Sequence, residues 1–235
     1  MLHARITLGF LALTALPAWA VDMERLAPGR DLSATAGVDL ASAYIFRGTT
    51  VNKNPVLQPL LKVQSGGLTL GGWGNRALDA ENGELEQEVD AFASFDLPLD
   101  ALLLSVGYTE YMYPESDFDN DQEVMLRITL PTLLNPTLAA FRGVGGGILD
   151  TNYYELGLKE EIFARYGITG SFGGTLAYLD RETGEDGLSH LTLTAGAAWQ
   201  VVAASVNYVV ETDEDVNDLD EQEQLYVTTG ASFTF

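Results

Sequence analysis

Leu225-Tyr226-Val227-Thr228-Thr229-Gly230-Ala231-Ser232-Phe233-Thr234-Phe235 is the stretch on which the fold turns. Leu225, Val227, Thr229, Ala231, Phe233 and Phe235 share one parity; Tyr226, Thr228, Gly230, Ser232 and Thr234 share the other. That is the period-2 pattern of a strand with one apolar face. Ends of soluble domains usually fray. A sheet in lipid must pair its last strand, because an open edge leaves backbone groups unsatisfied in hydrocarbon. An alternating terminal strand that closes on an aromatic therefore points to an outer-membrane β-barrel. Phe235 is then the expected handle for the barrel-assembly machinery.

The same alternation recurs upstream in segments near 36–47, 56–65, 68–78, 86–97, 101–112, 122–131, 137–145, 152–161, 168–180, 189–199 and 202–211, which with 224–235 makes twelve. Most are close to the 9–11 residues that a tilted barrel strand needs to cross the hydrocarbon layer. Short turns such as Gly66-Gly67 and Gln200-Val201 alternate with longer acidic connections such as 79–85, 114–121, 180–187 and 211–223. Short periplasmic turns facing longer extracellular loops are the pattern of these barrels. The expected fold class is all-β, a single antiparallel transmembrane barrel of about twelve strands.

At the other end, Arg5 precedes an apolar run and Ala18-Trp19-Ala20 supplies an A-x-A cleavage signal. Residues 1–20 read as a signal peptide, residues 21–34 as a periplasmic lead-in and residues 35–235 as the barrel. The formal charge of -22 becomes -23 in the mature chain, since Arg5 is the one charge removed. So acidic a chain lacks the basic stripe of a nucleic-acid binder. The 46% apolar content is too high for a disordered chain. With no cysteine there is no disulfide framework and no thiolate chemistry.

The outward face reads Leu102, Leu104, Val106 and Tyr108 in one strand and Val202, Ala204, Val206 and Tyr208 in another. Outward aromatics collect near strand ends, as expected at headgroup level. Tyr44, Phe46, Tyr108, Tyr154, Tyr178 and Tyr208 fall toward the outer rim, with Phe95, Trp199, Phe233 and Phe235 toward the periplasmic rim.

Ser42-Ala43-Tyr44-Ile45-Phe46-Arg47-Gly48-Thr49, followed by Pro55-Val56-Leu57-Gln58, resembles the opening of the TorF-type porin family of Gram-negative bacteria. Its members share an S-x-Y-x-F-R-G-[ST] element and a downstream P-x-x-Q. Tyr153-Tyr154-Glu155-Leu156 and Gly173-Gly174-Thr175-Leu176-Ala177-Tyr178 are similar to later parts of that family. The resemblance is best over the first sixty mature residues and implies an outer-membrane barrel.

The residues expected to line the lumen are Asp39, Arg47, Lys62, Glu88, Asp90, Asp96, Glu123, Arg127, Arg142, Glu155 and Lys159. Arg47 reads either as a pore-lining cation opposite a carboxylate such as Asp39 or Asp90, or as a structural ion pair. Trp73 and Phe92, also inward, narrow the lumen. Acidic loops attract cations, an effect screened over about 10 Å at 0.1 M salt. The leading expectation is therefore passive diffusion of small hydrophilic solutes with a preference for cations.

The alternative is a closed barrel whose acidic loops bind divalent cations or a surface partner. Asp117, Asp119, Asp121, Asp213, Glu214, Asp215 and Asp218 are the candidate loop carboxylates. They could also bridge through divalent ions to lipopolysaccharide phosphates. Gln122 and Asp218 stand where a calcium-loop pattern needs glycine, so no metal is assigned. No cofactor and no enzymatic activity are expected. A lipid-modifying enzyme is a third reading, disfavoured because Ser189 and His190, as neighbours on a strand, should face opposite ways.

Overall fold

A computed structural model describes residues 32–79, 85–114, 116–163, 165–182, 184–211, 213, 216 and 223–235. The expected signal peptide and nearly all of the lead-in lie outside them. Alternating sequence forms β1 (Ser33–Ala41), β2 (Tyr44–Phe46), β3 (Thr49–Asn52), β4 (Val56–Ser65), β5 (Leu68–Ala77), β6 (Gln87–Leu99) and β7 (Leu102–Met112). It continues through β8 (Asp121–Thr129), β9 (Thr137–Gly145), β10 (Asn152–Phe163), β11 (Ile168–Asp180), β12 (Gly187–Trp199), β13 (Val202–Glu211) and β14 (Glu223–Thr234).

Twelve of these strands pair antiparallel with their neighbours, and β1 closes the ring by pairing with both β14 and β4. Closure gives every strand two partners and abolishes the edges that lipid would not tolerate. At the seam, Thr35 to Ala41 face Thr234 to Thr228, and Ala34 and Phe235 exchange backbone hydrogen bonds of 3.1 and 2.8 Å. The terminal alternation is therefore a wall strand.

The outside is apolar. Leu61, Leu138, Leu156, Leu193 and Val206 are exposed, with Leu61 at 59%. In water such a belt would be an aggregation liability; in lipid it is what a barrel presents. Tyr108, Tyr154 and Tyr178 face outward toward the end with the long connections, and Trp199, Phe233 and Phe235 toward the end with the short turns. Tyr154 and Tyr178 are cross-strand partners with ring centres 6.5 Å apart.

Three elements depart from the sequence expectation. The first strand ends at Ala41 instead of 47, so Tyr44 and Phe46 leave the outer girdle and turn inward. β10 runs two residues past the expected end, to Phe163, and Glu160-Glu161 do not close it. Glu160 instead accepts the backbone N–H of Leu134 (2.6 Å) and so ties the 130–136 connection to the wall, while Glu161 pairs with Lys159. The third departure is a bulge between β11 and β12, where Leu176 faces Leu191 but Tyr178 faces Leu188. One residue, Ala177, thus opposes two, Ser189 and His190, and both of these turn inward.

Candidate functional site

After Ala41 the chain leaves the wall and enters the barrel. Ser42 marks the exit: its N–H donates to the Val227 carbonyl (2.9 Å), and its Oγ accepts the Val227 N–H (3.0 Å). β2 and β3 then form a hairpin in which Phe46 pairs with Thr49 across a two-residue turn, Arg47-Gly48. Both turn residues have positive φ, 54° and 81°. That is the requirement of a type I′ turn, which matches the twist of the flanking strands. Gly48 meets it without cost; Arg47, which has a Cβ, does not. On the way back, Asn52 Oδ1 accepts the Asn54 N–H (2.9 Å) in an Asx turn that leads into β4.

Each face of the hairpin meets a different part of the lumen wall. Tyr44, Phe46 and Val51 pack on Val56, Leu60, Trp73 and Phe92 from β4 to β6. Ala43 and Ile45 pack on Val209 and Tyr226 from β13 and β14. Tyr44, Ile45 and Asn52 are at most 2% exposed. Burial of each large apolar side chain is worth about 1.5–3 kcal/mol, so the hairpin is anchored by several such increments. Trp73 and Phe92 do narrow the lumen, as expected, and they do so by gripping this hairpin. Phe92 has room because it lies over Gly71, where a Cβ would come within 2.4 Å of its ring.

The tip carries Arg47. Its guanidinium makes a bidentate pair with Glu123, Nη1 to Oε2 at 2.6 Å and Nη2 to Oε1 at 2.7 Å. Tyr111 donates its hydroxyl to the same carboxylate (3.1 Å). The guanidinium carbon lies 4.3 Å from the ring centre of Tyr153, 4.7 Å from Phe141 and 4.9 Å from Phe46. A planar cation with a fork on one side and rings around it is suited to guanidinium and poorly suited to ammonium. The partner is thus Glu123, not Asp39 or Asp90.

Beside this cage sits the bulge. Ser189 Oγ donates to the Arg47 carbonyl (3.1 Å) and lies 3.0 Å from His190 Nδ1. His190 stacks on Tyr153 with ring centres 6.3 Å apart and an interplanar angle of 17°. The expectation that Ser189 and His190 face opposite ways fails here, because the extra residue of the bulge interrupts the two-residue period.

Of the other expected lumen residues, Asp39, Glu88, Asp90, Glu123, Arg127 and Glu155 are inward and buried. Asp39 faces Gly230, where an added Cβ would sit 1.7 Å from its Oδ1. Glu88 and Asp90 face Asn75 and Trp73 on β5. Asp96 accepts the Ser105 hydroxyl. Arg127 and Glu155 flank Ala139 in the register of β8, β9 and β10. Lys62 and Lys159 also fall on the inward parity, and Lys159 lies 3.7 Å from Glu161.

Arg142 is a correction. β9 turns Ala139 and Phe141 inward, so Arg142 lies on the outer parity, half exposed, paired with Asp150 and donating to Asn152 Oδ1 (3.0 Å). The sequence reading took the wrong phase there, and with it missed Phe141 as a wall of the cage.

Among the loop carboxylates, Asp117, Asp119 and Asp213 are exposed, while Glu214, Asp215 and Asp218 lie outside the described residues. Asp121 is buried and spent: it accepts the N–H groups of Gly147 (2.6 Å) and Ile148 (3.3 Å) and the Tyr113 hydroxyl (2.9 Å). Among the described residues, no three His, Asp or Glu side chains are grouped to hold a metal ion.

A closed antiparallel barrel with an apolar belt and a polar, loop-filled interior defines the class: a transmembrane β-barrel. Residues 27–131, which include the Ser42–Thr49 element, match the family described as "Bacterial protein of unknown function (Gcw_chp)". No curated protein matches the chain. Solved structures similar to it include one from work on the in-meso crystallization of membrane proteins, at 12% identity over 86% of this chain and 84% of that one, with a TM-score of 0.51. LpxR from Salmonella typhimurium aligns at 12% identity over 86% of this chain and 100% of that chain, with a TM-score of 0.49. The OmpF complex with daunomycin from Salmonella typhi aligns at 9% identity over 87% and 97%, with a TM-score of 0.36. At 12% identity and a TM-score of 0.51, the first of these is a likeness of fold.

Proposed function

We propose that this chain is an outer-membrane β-barrel whose outer half is stoppered by its own first extracellular loop, residues 42–54. In this conformation it is not a free-diffusion pore. The observation that carries the reading is the burial of the hairpin. Wall side chains that would border water in an open lumen, such as Asn75 and Asn207, are at most 1% exposed. The long acidic connections face the cell exterior and both termini the periplasm, as in other barrels of this class. The outer loops then offer carboxylates to divalent ions and, through them, to lipopolysaccharide phosphates.

Passive diffusion of cations is the second reading, and it applies to the barrel with the hairpin withdrawn. The polar wall residues Thr192, Thr194, Gly196, Ser205 and Ser232 would then line a wider water-filled path. We assign no catalytic role. Ser189 spends its hydroxyl proton on the Arg47 carbonyl and is covered by the hairpin, which makes it a packing element.

Planar-bilayer recording tests this directly. Wild-type protein is expected to give no resolved current steps in potassium chloride. A variant with residues 43–53 replaced by a short Gly-Ser linker is expected to give discrete steps, with a cation-biased reversal potential that shrinks as salt rises. Large, steady steps from the wild type would overturn the stopper.

A further inference from the structure

The surroundings of Arg47 are built like a receptor for a cation, and three of the four sides belong to the wall and not to the hairpin. Glu123 stands on β8 with Tyr111 of β7 donating to it, and Phe141 and Tyr153 stand on β9 and β10. Phe141 and Tyr153 are 5.8 Å apart at an angle of 50°, so they form two inclined walls, with the carboxylate beside them. Of the ring contacts described above, the longest, Phe46 at 4.9 Å, comes from the hairpin itself.

We propose that Glu123, Tyr111, Phe141 and Tyr153 form a binding site for an organic cation of the guanidinium class, in which Arg47 is a tethered occupant. The hairpin then works as a built-in competitor. A free cation of one headgroup cannot displace Arg47, because a tethered group acts at an effective concentration of at least about the millimolar range. The site is uncovered when the hairpin withdraws or when the arginine is removed. The proposal needs only the cage and not the closed lumen, so its test reads binding and not conductance.

Arg47→Gly is the variant to use, since glycine suits φ 54° and empties the cage without straining the turn. Methylguanidinium should raise the unfolding temperature of detergent-solubilised R47G in a saturable way, with half-effect at a concentration on the order of millimolar. Methylammonium at equal ionic strength should raise it much less, because it lacks the planar fork. The wild type should not respond, and R47G with Glu123→Gln should lose the response. If R47G folds poorly, its refolding yield in methylguanidinium gives the same readout. The proposal is overturned by an equal shift in wild type and R47G, by an equal effect of methylammonium, or by no effect on either stability or refolding.

Discussion

β14 and the β2–β3 hairpin begin from the same kind of sequence and end on opposite sides of the barrel wall. Both read as parts of alternating strands, and both carry aromatics, Tyr226 and Phe233 in one and Tyr44 and Phe46 in the other. In β14 one parity meets the outside and the other the lumen, so Val227 is 44% exposed while Tyr226 is buried at 4%. In the hairpin both parities are buried: Tyr44 and Phe46 on one wall, Ala43 and Ile45 on the other. Period-2 alternation says that a strand has two faces. It does not say that the faces differ in what they touch. Between its two apolar walls, Ala43-Tyr44-Ile45-Phe46 is apolar at every position.

The Arg47–Glu123 pair is where the hairpin is most easily broken. Glu123→Ala leaves a guanidinium buried among rings without its counter-charge, and removing one partner of a buried pair typically costs about 3–5 kcal/mol. The expected outcome is a lowered denaturant midpoint and, in bilayers, current steps absent from the wild type. The double change with Arg47→Gly should cost less than the sum of the two singles, because no charge is then left stranded. Additivity would mean that the pair contributes nothing as a unit.

A smaller effect separates the two kinds of burial. Val227→Arg places a charge on the outer face of β14, where lipid makes it cost up to about 2–4 kcal/mol near the midplane. If that face met water, an exposed valine replaced by arginine would fall within about 0.5 kcal/mol of neutral. Unfolding in lipid vesicles decides between them. A neutral outcome would remove the lipid-facing assignment of β14 and leave the hairpin as the better-buried element.

The wall was legible in the sequence to within a few residues, because each wall strand had to alternate and each short turn carries a glycine, a proline or a polar residue. The interior was legible only in part. Glu123, Asp39 and Glu155 are polar residues at inward positions of otherwise apolar strands, and that contrast places them. Phe141 and Arg142 defeat the same logic: Ala139 and Ala140 precede them, and two alanines in a row do not reveal which one faces the lumen. The bulge at Ser189-His190 leaves no mark at all, since an extra residue between Leu188 and Leu191 has no composition of its own. Arg47 was visible as a charge at the end of an apparent strand. Its partner was not, because Glu123 lies 76 positions away and is chosen by closure of the ring.

The turn at the hairpin tip allows the finest test of why this segment left the wall. Gly48 has φ 81°, a conformation that glycine adopts freely and that costs other residues about 1–2 kcal/mol. Gly48→Ala should therefore lower stability by roughly 1 kcal/mol through the turn alone. Arg47 already carries such a cost at φ 54°, so Arg47→Gly relieves strain while losing the ion pair, and the two substitutions should differ in kind. Gly48→Ala should keep the methylguanidinium-insensitive behaviour of the wild type, since its cage remains filled. Arg47→Gly should not. If Gly48→Ala proves neutral, the hairpin is held by its flanks, Tyr44 and Ile45, and the two-residue turn follows from their packing instead of directing it.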